Sequence, residues 1–236
     1  SLPADVRVID LTWDFRLFSD DNDYIYGLPE LNRSRIGSAL HVANPGDAAT
    51  CIQLGLLPLA EAGLLGGDIA VNALVGSTGA GVQPSSTTHF SWRSGNVSIF
   101  QAFEHEHVAE IVQSIRQLQP DFDGEIDFIP YRADFPRGLF STMVVRAERL
   151  EEVEAYYRDF YSEAPFIHYA GRPIDLKQVV NTNKCLIHAE RHRDKLLVTS
   201  CIDNLLKGAS GQAVQNMNLM LGLEETTGLQ LKALAF

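Results

Sequence analysis

Ala43-Asn44-Pro45-Gly46-Asp47-Ala48-Ala49-Thr50-Cys51-Ile52-Gln53-Leu54-Gly55-Leu56-Leu57-Pro58-Leu59-Ala60 is the stretch whose reading decides the fold. Pro45 fixes one backbone angle and Gly46 frees the next, so a tight turn opens directly into an almost wholly apolar helix that begins at or near Asp47. The first turn of a helix carries unpaired N–H groups and the positive end of the dipole. That field stabilises negative charge and is where a thiolate nucleophile is commonly seated. Here the residue is a carboxylate, which taken alone reads first as a plain helix cap. The helix is expected to end or kink at Pro58, with Gly63 to Gly67 closing the unit.

Working outward, Val6 to Leu11 reads as a buried strand and His41 to Ala43 as a strand feeding the central turn. Leu31 to Ile36 reads as a short helix and Ile69 to Leu74 as a strand leading into Gly76-Ser77-Thr78-Gly79-Ala80-Gly81. Such a loop lets backbone N–H groups approach an anion, although most glycine clusters are ordinary loops. Gln83 to Gly95 reads as a loop able to cover a site. Ile111, Ile115 and Leu118 fall on one face of a further helix. Strands are expected at Ile126 to Ile129, Leu139 to Val145, near Val179, at Cys185 to His188 and at Lys195 to Ser200, and a helix at Leu150 to Tyr161.

The totals narrow the function. The 236 residues are 45% hydrophobic, enough for a sizeable core, and carry a net charge of −11. That charge argues against nucleic acid and anionic membrane as partners, since both need a basic face. No run reaches the roughly 18 apolar residues of a membrane span, and no signal core is present. Cys51, Cys185 and Cys201 show no paired spacing, which points to a reducing cytoplasm.

Several short segments carry chemistry. Arg16 stands at a strand exit, where its fork suits a phosphate or pairs with Asp14 or the acidic run at residues 20–23. His105-Glu106-His107, with Glu110 three further on, is a donor set zinc can use, but no distant Cys or His cluster completes it. A histidine here also suits proton transfer near neutral pH.

Taken together, Asp10-Leu11-Thr12-Trp13-Asp14-Phe15-Arg16, Ala43 to Asp47, Gly76 to Gly81, His105 to Ile111, Pro130 to Gly138 and Ile202 to Met220 resemble, in order, the N-acetyl-gamma-glutamyl-phosphate reductase family. The resemblance implies an NADPH-dependent reduction of an acyl phosphate to a semialdehyde in arginine biosynthesis. In the family motif Asn-Pro-Gly-Cys-aromatic, the Cys is the nucleophile; the matching positions are Asp47 and Ala48. Ala109 stands where the family has Pro, and Tyr131 and Arg132 depart from its Pro-His-Leu.

The resemblance further implies His107, with His105 close behind, as acid/base, and Arg16, Asn44, Ser77 and Arg137 as substrate contacts. It implies Gly79, Gly81, Asn204 and Lys207 as contacts of NADP, with no metal. The expected architecture is α/β: a mixed-sheet catalytic and dimerisation domain over residues 46–200, with remnants of a doubly wound (Rossmann) dinucleotide-binding domain at 1–45. A C-terminal helix, 201–236, returns to the cofactor domain. No G-x-G-x-x-G follows any strand, so most of that domain is expected to lie outside this sequence. A homodimer or homotetramer and a small acyl-phosphate substrate complete the expectation. An Asp at 47 cannot form a thioester, so an inactivated enzyme, a noncatalytic partner subunit, and a relative acting on an N-succinyl or aminoadipyl phosphate all stay open. Cys51, one turn beyond Asp47, is expected to be buried core rather than a substitute nucleophile.

Overall fold

The computed structural model describes residues 5–146 and 152–234. Two sheets carry the chain. In the small one, β1 (Val8–Asp10), β3 (His41–Ala43) and β2 (Ile25–Tyr26) lie parallel in that order, with α1 (Pro29–Ser38) between β2 and β3 in sequence. Expected strand Val6 to Leu11 thus shortens to three residues.

The large sheet has seven strands in the order β5 (Ser98–Ile99), β6 (Ile126–Arg132), β4 (Gly66–Val75), β7 (Leu139–Arg146), β10 (Lys195–Ile202), β9 (Cys185–His192) and β8 (Ile167–Tyr169). Pairs β4/β6 and β8/β9 are parallel and the other four antiparallel, so the sheet is mixed. Alternation along the strands separates its faces. Ile69, Val71, Ala73 and Val75 of β4, with Leu139, Met143 and Val145 of β7, point into the core. Phe140, Thr142 and Val144 lie on the opposite, half-open face. The core face is covered by α2 (Asp47–Glu61), α4 (His107–Leu118) and α5 (Val153–Phe160). A short α3 (Phe90–Arg93) sits in the loop over Gln83 to Gly95, and α6 (Gly211–Met220) packs on α1 and β1.

Helix α2 is the axle. Every residue from Ala48 to Ala60 is buried, the signature of a helix that is apolar all round. Contrary to expectation, Pro58 does not end it. A proline inside a helix removes the N–H that would bond the carbonyl four residues back and costs about 3 kcal/mol. Here Tyr161 of the α5 end donates its hydroxyl to the Leu54 carbonyl at 2.6 Å, and Tyr157 does the same to Gly55 at 2.6 Å. The Tyr161 hydroxyl takes over the one acceptor that Pro58 orphans, the Leu54 carbonyl, and α2 continues to Glu61 before Gly63, at φ +65, turns the chain.

Two other expectations are corrected. Near Val179 there is no strand: Asp175 caps a 3₁₀ turn at Leu176–Gln178, accepting from Lys177 N, and Asn181 follows at φ +69. Residues 202–220 are not one helix either. The Asp203 carboxylate accepts from Leu205 and Leu206 N–H at 2.9 and 3.0 Å, a wide turn at Leu206–Ser210 follows, and only then does α6 begin. The helix predicted over Leu150 to Tyr161 is seen from Val153; its first two residues lie outside the described residues.

Candidate active site

The turn at Pro45-Gly46 delivers Asp47 to the first turn of α2, where Thr50 N–H makes the first helical bond to Gly46 O at 2.8 Å. The Asp47 carboxylate accepts from Ala48 N–H at 2.7 Å and keeps 24% of its side-chain surface exposed. Burial nonetheless pushes its pKa up to about 6, against the opposing pull of the Ala48 N–H.

His107 opens α4 directly against this junction. Its ring lies so close to Gly46 that an added Cβ would meet Nε2 at 2.2 Å, which explains why position 46 is Gly. His107 Nδ1 stands 4.0 Å from Asp47 Oδ1 and has no hydrogen-bond partner, although it is buried. Burial, then the neighbouring His105 and Arg16, drive the His107 pKa well below the ordinary value, so the ring is neutral at pH 7. His105 packs beside it, ring centroids 4.4 Å apart, and its Nδ1 accepts the His107 N–H at 3.2 Å. Burial lowers the His105 pKa as well.

Glu110 holds the group together. One oxygen accepts from Gly46 N–H at 3.0 Å and from the Tyr26 hydroxyl at 2.9 Å; the other pairs with Arg16 Nη1 at 3.1 Å and lies 3.9 Å from His107 Nε2. Gln53 of α2 donates to Tyr26 Oη at 2.7 Å. The sequence reading missed this role. Its signal is local, because residues three apart on a helix share a face and Glu110 is three after His107.

Asp47, His105 and His107 share a cleft of about 240 Å³ with Glu106, Gly79 and Arg132. Gly79 backs it closely: an added Cβ would lie 3.8 Å from Asp47 Oδ2 and 2.5 Å from Val75 Cγ1. Ligand atoms of His105, Glu106 and His107 lie within 4.8 Å of one another, a spacing that would suit a metal ion. Ser77 and Gly81 border an adjoining cavity of about 350 Å³.

The remaining sequence-predicted contacts lie elsewhere or are already engaged. Arg16 pairs with neither Asp14 nor the acidic run. Each of its three guanidinium nitrogens is engaged, by the Asn44 carbonyl, Glu110 and the Leu11 carbonyl. Asn44 is buried, donates to the Ala209 carbonyl and accepts from Asn216. Arg137 pairs with Asp203 at 2.7 Å and lines a separate apolar cavity. Asn204 accepts from Gly138 N–H at 2.7 Å and donates to Thr78 Oγ1 at 3.1 Å, tying two loops together. Lys207, read as reaching a ligand, is 0% exposed and spans Glu30 at 2.8 Å and Gln215 at 2.9 Å. A side chain so enclosed has no surface to offer a cofactor. Cys51 is buried beneath Ser200, with a pKa raised well above the usual thiol value by burial.

Residues 48–204 match a family model described as semialdehyde dehydrogenase, dimerisation domain. The N-acetyl-gamma-glutamyl-phosphate reductase of Bacteroides thetaiotaomicron is 64% identical, covering all of this chain and 74% of that protein; that of Phocaeicola vulgatus is 65% identical with the same coverage. In fold, the chain resembles aspartate semialdehyde dehydrogenase II from Vibrio cholerae, with a TM-score of 0.68 at 19% identity over 91% of this chain and 72% of that one. Among the described residues, no helix is long and apolar enough to cross a membrane. The chain belongs to the N-acetyl-gamma-glutamyl-phosphate reductase family of oxidoreductases.

Proposed function

We propose that the cleft at the start of α2 is the reaction centre for NADPH-dependent reductive dephosphorylation of N-acyl-glutamyl 5-phosphate to the 5-semialdehyde, and that Asp47 silences it in this chain. The observation that carries the reading is the pairing of position 47 with His107 Nδ1, 4.0 Å apart, at a helix N-terminus.

A thiol at position 47 would attack the acyl carbon, and phosphate would leave to give a thioester. The first-turn N–H groups would lower the thiol pKa and face the developing oxyanion. His107, neutral and with a free Nδ1 on that side, would take the thiol proton as the sulfur attacks and return it to the sulfur when the hydride-reduced thiohemiacetal collapses to the aldehyde. Glu110 would fix the junction through Gly46 N–H, and Arg16 would hold Glu110 rather than touch phosphate. NADPH would supply the hydride, and Gly79 and Gly81 are the loop positions that would border it; their missing side chains leave that approach open. A carboxylate at 47 yields at most an anhydride, which water would cleave first.

The Asp favours a second reading, a noncatalytic subunit that keeps the fold and binds N-acyl-glutamate. A homodimer, formed by covering the open face of the large sheet near Leu74, Phe140 and Val180, suits either reading, as does a cytoplasmic location. NADPH oxidation with N-acetyl-glutamyl phosphate separates them. The complete protein with Asp47 is expected to be silent and Asp47→Cys to gain at least about 10³-fold in kcat. Equal turnover by both would overturn the silencing, and silence of both would favour the noncatalytic subunit.

A further inference from the structure

Beside the cleft, the cavity of about 350 Å³ is bordered by two guanidinium groups, those of Arg93 and Arg132. Arg93 is 6% exposed. Its Nη2 donates to Ser98 Oγ at 3.3 Å and its Cζ lies 4.9 Å from the Trp92 ring, but Nε and Nη1 are buried with no partner. Arg132 stacks over Phe100, 4.6 Å from the ring centroid, and also lines the cleft that holds Asp47 and His107.

No carboxylate among the described residues lies within 4 Å of either group. In a chain of net charge −11, carboxylates are not scarce, so this gap is specific to the cavity. A buried cation without a counterion is costly, and for Arg93 the Trp92 ring and one hydroxyl leave that cost partly unmet, which an anionic ligand in the cavity would offset. Ser77 adds a hydroxyl at the same wall. Burial first, and then the positive charge of Arg93, lower the Arg132 pKa, so the two like charges feel one another across the cavity.

We propose that Arg93 and Arg132 form an oxyanion subsite that extends the reaction cleft and grips a charged end of the substrate. This rests on the reading of the substrate as an N-acyl-glutamyl phosphate. Two groups share the required chemistry: the phosphoryl group itself, and a carboxylate ending the acyl group, as in an N-succinyl chain. Guanidinium forks bind either bidentately.

Calorimetric titration of the complete protein with inorganic phosphate, N-acetyl-glutamate and N-succinyl-glutamate, before and after Arg132→Leu, tests the subsite. A carboxylate source predicts N-succinyl-glutamate binding at least about tenfold tighter than N-acetyl-glutamate, with the preference lost in the variant. A phosphoryl source predicts no such preference, and phosphate affinity falling about tenfold or more in the variant. Affinities unchanged within about twofold for all three ligands, or no binding of any of them to the unaltered protein, would overturn the subsite. Arg93→Gln, checked for folding by circular dichroism, must shift the same ligand in the same direction. If phosphate alone binds and still depends on Arg132, the acyl-glutamate reading fails while the subsite stands.

Discussion

Two clusters of buried charge lie on either side of the turn at residues 203–210, and they have opposite characters. Around Lys207, the ammonium meets Glu30 and Gln215, Gln215 donates on to Glu225 at 2.7 Å, and Glu225 pairs with Arg33. Around Asp47, Glu110 is comparably enmeshed, yet the two groups facing the cleft are not: His107 Nδ1 lacks a partner and Asp47 is held at an unfavourable pKa. Gly208 joins the two regions, since an added Cβ there would meet Asp47 Cβ at 2.7 Å. The difference teaches where strain is stored. The first cluster pairs its charges and locks α6 to α1, leaving Glu30 Oε2 as its one unpartnered charged-group atom among the described residues, walled off from any cleft; the second leaves unpartnered the groups that face a cleft, where chemistry needs them.

The comparison can be broken from either side. The largest effect belongs to the open cluster: in an Asp47→Cys background, His107→Asn is expected to lower kcat by about 10² to 10⁴-fold, with thermal stability little changed, measured by NADPH oxidation and calorimetry. For the closed cluster, Lys207→Met leaves Glu30 buried without its cation and is expected to cost about 3 to 5 kcal/mol by urea denaturation. A loss below about 1 kcal/mol would mean the two clusters are not different in kind.

The smallest effect is a pH dependence. A carboxyl raised from 3.8 to about 6 binds its proton more tightly in the folded state. Its contribution to stability is therefore full below pH 3.8 and is lost as pH rises through 6. Because a quarter of the side chain stays wet, about 2 kcal/mol is expected rather than the full value of the shift. Subtracting the Asp47→Asn stability curve from the native one between pH 4 and 7 should reveal that slope, and parallel curves would refute it.

Much of this was legible in the sequence, and the failures have a common cause. The turn into α2, the histidine pair and the alternating strands are written in local spacing, whereas the grouping of Asp47 with His105 and His107, about 60 positions away, rests on the family resemblance. No local pattern shows that the helix runs on through Pro58, because the Tyr161 hydroxyl that replaces its missing bond comes from about 100 residues away. Asn204 and Lys207 were read as reaching a ligand because a polar side chain among small residues looks available, whereas Gly138, Thr78, Glu30 and Gln215 had already claimed them. Arg93 and Arg132 are 39 positions apart and share no motif, so only the fold sets them on one cavity.

Mass spectrometry of the peptide that contains residue 47, after acid quench of the complete protein mixed with N-acetyl-glutamyl phosphate and no NADPH, tests the central claim most directly. The Asp47→Cys protein should carry one N-acetyl-glutamyl group on that peptide while the Asp47 protein carries none. An acyl group on Cys51 instead, or no adduct on either protein, would contradict the assignment of position 47 as the seat of the reaction.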